Sequence, residues 1–243
     1  MTGANGSEKT QQTPAKKTRS VTIGQKTVVL TPFRLVRSAA ILLILLALIV
    51  VSVIHFRPRL GMWLSAGIWI VRDVYWTVAA KNSAPSKNAE SQKSSRFHQI
   101  LITIAFLLLF IPVPGLLRRF LPAAPLLVPI GLTLQSLSFL LAIWARRHLG
   151  RNWSAAVRIS TEHQLVRSGP YRLLRHPIYT SMFGMFCGTA LVCNQIRALV
   201  GIAILAFAYW RKIRMEENIL RETFGAEYDA YKRHTWALVP GLI

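Results

Sequence analysis

The sequence predicts an all-α integral membrane protein, a multi-pass bundle of about five to six transmembrane helices that ends in a C-terminal interfacial helix. Three observations predict it. The 243-residue chain is 52% apolar and only 16% charged, with mean hydropathy +0.37, too apolar a balance for a soluble domain of this size. The apolar residues gather in long runs separated by basic loops. And the 30 Lys and Arg, set against nine Asp and Glu for a net charge of +21, fall almost entirely on one side of the implied topology.

The runs justify the helices in order. Ser38 to Phe56, SAAILLILLALIVVSVIHF, at about 1.5 Å per residue matches the roughly 30 Å hydrocarbon core. It begins too far into the chain, and is too long, for a cleaved signal peptide. Leu60–Ala80 follows, carrying Arg72 and Asp73, which are costly in lipid unless paired or interfacial. Phe97–Val113, Ala123–Ala145 and Pro177–Ile196 are further spans. Ala198–Trp210 is short, so its far end should only reach the headgroup layer.

With the N-terminus in the cytosol and six spans, the outer loops receive only Arg57, Arg59, Arg118, Arg119 and Arg197. This positive-inside pattern places both termini in the cytosol. It also accounts for the pI near 11.3 with no nucleic-acid partner; membrane lipids are the expected surroundings. Residues 1–37 read as a basic, largely disordered cytosolic tail. Residues 38–122 hold the N-terminal transmembrane helices, with a polar linker at 81–96. Cys187 and Cys193 share one run without C-x-x-C spacing, which excludes a disulfide framework and a cysteine zinc site. No G-x-G, H-E-x-x-H or G-x-S-x-G occurs, so no dinucleotide fingerprint, P-loop, zincin or serine-hydrolase motif is present.

Polar residues break the pattern in two cytosolic places. One is Arg146 to Tyr179, with His148, His163, His176, Gly169-Pro170-Tyr171 and Arg175-His176-Pro177. Proline is favoured at the first helical position, so a helix begins just after His176. Its N-terminus beside Arg175 either receives a carboxylate or phosphate or is a basic cap that anchors the helix. The other place is Arg211 to Tyr231, with Glu216, Glu217, Glu222, Glu227 and Asp229. Lys212 and Glu216 share a helical face, either bracketing a ligand or forming a surface ion pair. Gly225 is placed to end that helix, and Tyr228 and Tyr231 read as interfacial anchors. Gly184-x-x-x-Gly188 allows close approach of another helix, either inside the bundle or, the less favoured reading, between copies.

These residues carry a resemblance. Leu149-Gly150-x-x-Trp153, His163-x-Leu165-Val166-x-x-Gly169-x-Tyr171 and Arg175-His176-Pro177-x-Tyr179 come in order. Gly188, Glu216-Glu217-x-x-Leu220-x-x-x-Phe224-Gly225-x-x-Tyr228-x-x-Tyr231 and Pro240 follow. The set resembles the isoprenylcysteine carboxyl methyltransferase family, which overlaps in pattern with phospholipid methyltransferases, and covers about the last two-fifths of the chain.

The resemblance implies S-adenosylmethionine as methyl donor and makes 123–243 a methyltransferase-like catalytic region. It implies cofactor contacts at His163, Gln164, Leu165, Val166, Tyr171, His176, Pro177, Ile178, Tyr179 and Glu216. It implies catalytic roles for Arg175, Lys212 and Glu217, with Lys212 orienting the acceptor where arginine is frequent. The expected acceptor is a prenylcysteine-type carboxylate or another lipid-like substrate. Ser181 stands where glycine is frequent and Ala237 where arginine is frequent, departures that touch the substrate side.

Methyl transfer from a sulfonium to a carboxylate disperses charge, so it needs orientation and exclusion of water more than a base. Three other readings compete. A phospholipid N-methyltransferase needs a proton sink, at Glu217 or His176. An NADPH-dependent sterol-type membrane reductase shares the late aromatic and proline pattern. A non-enzymatic basic membrane anchor leaves the ordered motifs unexplained.

Overall fold

The computed structural model describes residues 20–23, 26–29, 60–80, 87–88, 91–150, 158–159 and 165–241. The apolar run Ser38–Phe56, and with it Trp153, His163 and Gln164, lies outside them. In the N-terminal unit, 1–55, strands β1 (Ser20–Ile23) and β2 (Lys26–Val29) pair antiparallel, Ser20 opposite Val29. Their Val, Thr and Ile residues favour that extended pairing.

In the unit 56–243 the structure is helical. Its helices are α1 (Leu60–Ala80), α2 (Gln92–Phe110), α3 (Leu127–Leu149), α4 (Pro177–Cys193), α5 (Ile196–Phe224) and α6 (Ala226–Arg233). A 3-10 turn, Gly169–Arg172, precedes α4. The two-residue strands β3 (Lys87–Asn88) and β4 (Arg158–Ile159) pair antiparallel.

Two helices are longer than their apolar runs, for physical reasons. α2 starts inside the polar linker because Ser91 caps it, its side chain accepting from the Ser94 amide at 3.2 Å. α5 continues past Trp210 for another 14 residues to Phe224 because nothing in RKIRMEENILRETF breaks a helix. Gly225, at φ 51°, then ends it. An apolar run marks the membrane-suited stretch of a helix, not the helix itself.

One described helix, Leu127–Leu149, is long and apolar enough to cross a membrane, and α4 is a shorter apolar helix. The outward faces are apolar: Ile70, Val71, Val74 and Val78 on α1, Leu137, Leu140 and Trp144 on α3, and Phe207 and Trp210 on α5 are all exposed. Such outer surfaces suit lipid better than water.

Small residues set the closest packing. A Cβ on Gly188 would lie 2.5 Å from the Gly131 carbonyl oxygen of α3, and a Cβ on Gly184 would strike Ser138. The G-x-x-x-G face of α4 is therefore filled by α3. Gly201 brings α5 onto α2 in the same way, against Ala105 O. Between these pairs the core holds Leu109, Met185, Phe186 and Leu205, with Trp69 edge-on to Phe106 and Phe186.

The polar side chains buried between α1, α3 and α4 are paired with one another. Ser65 donates to Gln135 Oε1 at 2.8 Å, Gln135 Nε2 to Ser65 O at 3.0 Å, and Trp69 Nε1 to Thr189 Oγ1 at 3.0 Å. This network ties α1, α3 and α4 together. Arg197, read from the sequence as an outer-loop residue, is 5% exposed inside α5 and donates to Leu108 O and Ile111 O at the end of α2. Arg146 donates likewise to Ala79 O at the end of α1. Both satisfy helix-terminal carbonyls that have no intrahelical donor.

Candidate functional site

Four segments meet at the start of α4: the turn 169–176, the C-terminal half of α5, helix α6 and the C-terminal stretch 234–241. Pro177 begins α4 as the sequence predicts. The backbone just before it is held by the C-terminal stretch. Arg175 N donates to Trp236 O at 2.8 Å, His176 N to Ala237 O at 3.1 Å, and Trp236 N to Leu173 O at 3.0 Å. Thr180 Oγ1 adds a bond to Leu238 O at 2.6 Å.

Arg175 and Glu217 form the hub. Arg175 Nε donates to Glu217 Oε1 at 2.9 Å, and their side chains are only 8% and 11% exposed. Arg175 Nη1 donates to Lys232 O at 3.2 Å and to Thr235 O. Lys232 Nζ pairs with Glu217 Oε2. Burial alone would push the Glu217 carboxyl up. His176 beside it, Lys232, and the hydrogen bond and charge of Arg175 instead hold it far below the usual carboxylate range.

Beside the hub, His176 lies between the two glutamates, Nδ1 3.5 Å from Glu216 Oε2 and Nε2 3.5 Å from Glu217 Oε1. Burial favours the neutral imidazole, but the two carboxylates outweigh it and raise the His176 pKa. Tyr179 donates to Glu216 Oε1 at 2.5 Å. The rings of His176, Tyr179 and Tyr209 make a column, with centroids 5.5 Å and then 4.4 Å apart.

The structure thus brings together Arg175, His176, Pro177, Ile178, Tyr179, Glu216 and Glu217. Tyr171 is buried beside α6, its carbonyl accepting from Tyr231 Oη at 2.7 Å. Leu165 and Val166 are half-buried at the entry to the turn. Lys212 is 3% exposed on α5, one turn before Glu216. Tyr228 and Tyr231, read as interfacial anchors, instead face inward at 1% and 8% exposure. They are buried because α6 folds back onto the turn, Tyr231 Oη donating to Tyr171 O. The Arg175 guanidinium also turns inward, onto Glu217 and two carbonyls, rather than toward an open helix N-terminus.

Sequence reasoning missed Tyr209, Lys232 and the C-terminal stretch. Tyr209 was within reach, since it lies seven residues before Glu216 and so on the same helical face. Lys232 and the stretch act through tertiary pairing and backbone carbonyls, which leave no side-chain signature.

Two buried polar atoms at the site, His176 Nε2 and Tyr228 Oη, have no hydrogen-bond partner among the described residues. Native sites rarely leave such groups unmatched without a ligand or water to receive them.

Comparisons with known proteins show what this region is similar to. Residues 127–227 match the family model described as phospholipid methyltransferase, and the resemblance drawn from the motifs is borne out. More particularly, the chain is 33% identical over 94 residues to a probable protein-S-isoprenylcysteine O-methyltransferase of Oryza sativa subsp. indica, covering 37% of this chain and 49% of that one. It is 40% identical over 99 residues to the nickel-cobalt-cadmium resistance protein NccN of Alcaligenes xylosoxydans xylosoxydans, covering 39% and 45%. The chain therefore spans about half the length of these relatives. A solved eukaryotic intramembrane Ras methyltransferase, isoprenylcysteine carboxyl methyltransferase, aligns at TM-score 0.48 and 24% identity, covering 63% of this chain and 55% of that one.

Proposed function

We propose that the chain is an S-adenosylmethionine-dependent membrane methyltransferase acting on the carboxylate of a prenylcysteine-type or other lipid-like acceptor. The observation that carries this reading is the convergence of Arg175, His176, Tyr179, Glu216 and Glu217 on one partly buried site. All five lie within the stretch that matches the methyltransferase family model.

S-adenosylmethionine, when bound, supplies an electrophilic methyl group on a sulfonium. The donor set fits such a group. Glu216, half-buried and engaged by Tyr179 through one oxygen, offers an acceptor for hydroxyl donors and a negative charge near a cation. The half-buried edge of Tyr179, whose ring faces are covered by His176 and Tyr209, offers an aromatic wall. Tyr228 Oη retains hydrogen-bonding capacity. By the resemblance, His163, Gln164, Leu165, Val166 and Tyr171 are the further cofactor contacts in this reading.

Arg175 and Glu217 are positioning residues. Their charges are used on each other, and together they clamp the turn, α5, α6 and the C-terminal stretch into one body. Lys212, buried on α5 one turn before Glu216, lies on the acceptor side in this reading. With opposite charges reacting, the chain's task is to orient the two partners and exclude water.

The description of the matched family model favours a second reading, methylation of a phospholipid amine. There the acceptor must lose a proton, and His176 between two carboxylates is the group placed to take it. Methyl transfer from labelled S-adenosylmethionine to a prenylated cysteine acid and to a phosphatidylethanolamine, assayed side by side, tests both. Ester formation supports the first reading, N-methylation supports the second, and transfer to neither refutes both.

A further inference from the structure

We propose that Arg72 binds the acidic end of the acceptor and gives the site its preference for a carboxylate over an uncharged group. The assignment rests on the methyltransferase reading and names the part of the substrate that α1 recognises. α1 contributes none of the residues discussed for the site, and the family-model match begins only at residue 127.

The Arg72 side chain is 17% exposed and reaches from α1 across to α4. Nη1 donates to Asp73 Oδ1 at 2.6 Å, Nη2 to Met182 Sδ at 3.2 Å, and Nε is buried with no acceptor among the described residues. The guanidinium lies over the Trp76 ring, 4.8 Å from its centroid, and 6.0 Å from that of Trp69. A permanent cation thus sits between apolar helices with one carboxylate, on its neighbour Asp73, itself 58% exposed. A thioether is a weak acceptor. Donors left unmatched in such surroundings are costly, and a guanidinium fork matches a carboxylate in shape and charge.

The position is right for a lipid-borne acid. Met182 is three residues beyond Tyr179 on α4, about 4.5 Å further along the helix and away from the Arg175–Glu217 hub. Tyr209 stacks on Tyr179 and packs edge-on to Phe183. Arg72 therefore reaches α4 about one turn past Tyr179, the residue that holds Glu216. An acceptor whose tail lies among the helices presents its polar end at that level.

A merely structural Arg72, holding α1 to α4 through Met182 and the tryptophans, would matter for melting but not for ligand choice. The test uses full-length protein in detergent with two probes, N-acetyl-S-farnesylcysteine and its carboxamide. Binding of each is measured by fluorescence titration, alongside S-adenosylmethionine affinity and steady-state methylation. Wild type should bind the acid at least 10-fold tighter than the amide. Arg72→Gln should bind the two alike, with KM for the acid raised about 10- to 100-fold and S-adenosylmethionine affinity within two-fold of wild type. Arg72→Lys, which keeps the charge without the fork, should retain part of the preference and decides the matter if the Gln variant does not fold.

The proposal is overturned if wild type shows no acid preference, or if either folded variant keeps it in full. It is also overturned if Arg72→Gln weakens acid and amide equally. An Arg72-dependent acid preference without methyl transfer to the acid would sustain this assignment and refute the reaction proposed above.

Discussion

Replacing Glu217 with Gln should destabilise the protein by about 3 kcal/mol, the lower end for breaking a buried ion pair from one side. The lower end applies because Lys232, one of the partners, is 38% exposed and regains hydration. Arg175, at 8% exposure, does not, and the substitution leaves its charge facing two carbonyls and an amide. For a chain of this size about 3 kcal/mol corresponds to a melting shift of roughly 6–12 °C. The assay is thermal melting of detergent-purified protein by intrinsic fluorescence.

The carboxylate also sets an acid dependence. Its folded pKa lies well below the roughly 4.3 of a free glutamate. The stabilisation is therefore complete above that value and is lost as pH falls from there toward the folded pKa. The gap between wild type and Glu217→Gln should narrow below about pH 4. A variant melting within 2 °C of wild type at pH 7, about the shift for less than 1 kcal/mol, would refute the hub. So would a gap that stays constant on acidification.

His176 carries the opposite sign: its raised folded pKa gives stability that is full below about pH 6.5 and lost as pH rises through the folded value. Melting of wild type should fall on the alkaline side, and His176→Asn should flatten that limb; a slope that survives the substitution assigns it elsewhere. Tyr179→Phe removes the hydroxyl bond to Glu216 but keeps the ring, and should weaken S-adenosylmethionine binding about 3- to 10-fold, one hydrogen bond's worth, by calorimetry. Gly188→Val should cost about 1–3 kcal/mol or more, since the α3 backbone at Gly131 blocks its side chain; a melting point equal to wild type would contradict the α3–α4 contact.

Much of the bundle was legible in the sequence because the apolar runs and the breakers between them are one-dimensional signals. Leu60–Ala80 forms a helix over the residues of its run, and Pro177 and Gly225 start and stop helices as placed. The start of α2 was not legible, since a polar stretch capped by Ser91 extends the helix ahead of its apolar run. At the site, the motif residues from Arg175 to Tyr179 and the paired glutamates do converge. What they do to one another was hidden. Arg175 looked like an anion receiver in a linear reading, and only the fold shows Glu217, Lys232 O and Thr235 O around its guanidinium. Tyr228 and Tyr231 misled for the same reason, because a surface tyrosine and one buried under a returning helix have identical local sequence.

The central claim is that this convergence of residues forms a methyl-donor site, and calorimetric titration of S-adenosylmethionine into the purified protein, with NADPH in parallel, tests it most directly. The account predicts saturable binding of S-adenosylmethionine, at least 10-fold weaker in Glu216→Gln, where a charge-assisted acceptor is lost, and no heat with NADPH. Binding of NADPH alone, or S-adenosylmethionine binding unaffected by Glu216→Gln, would contradict it.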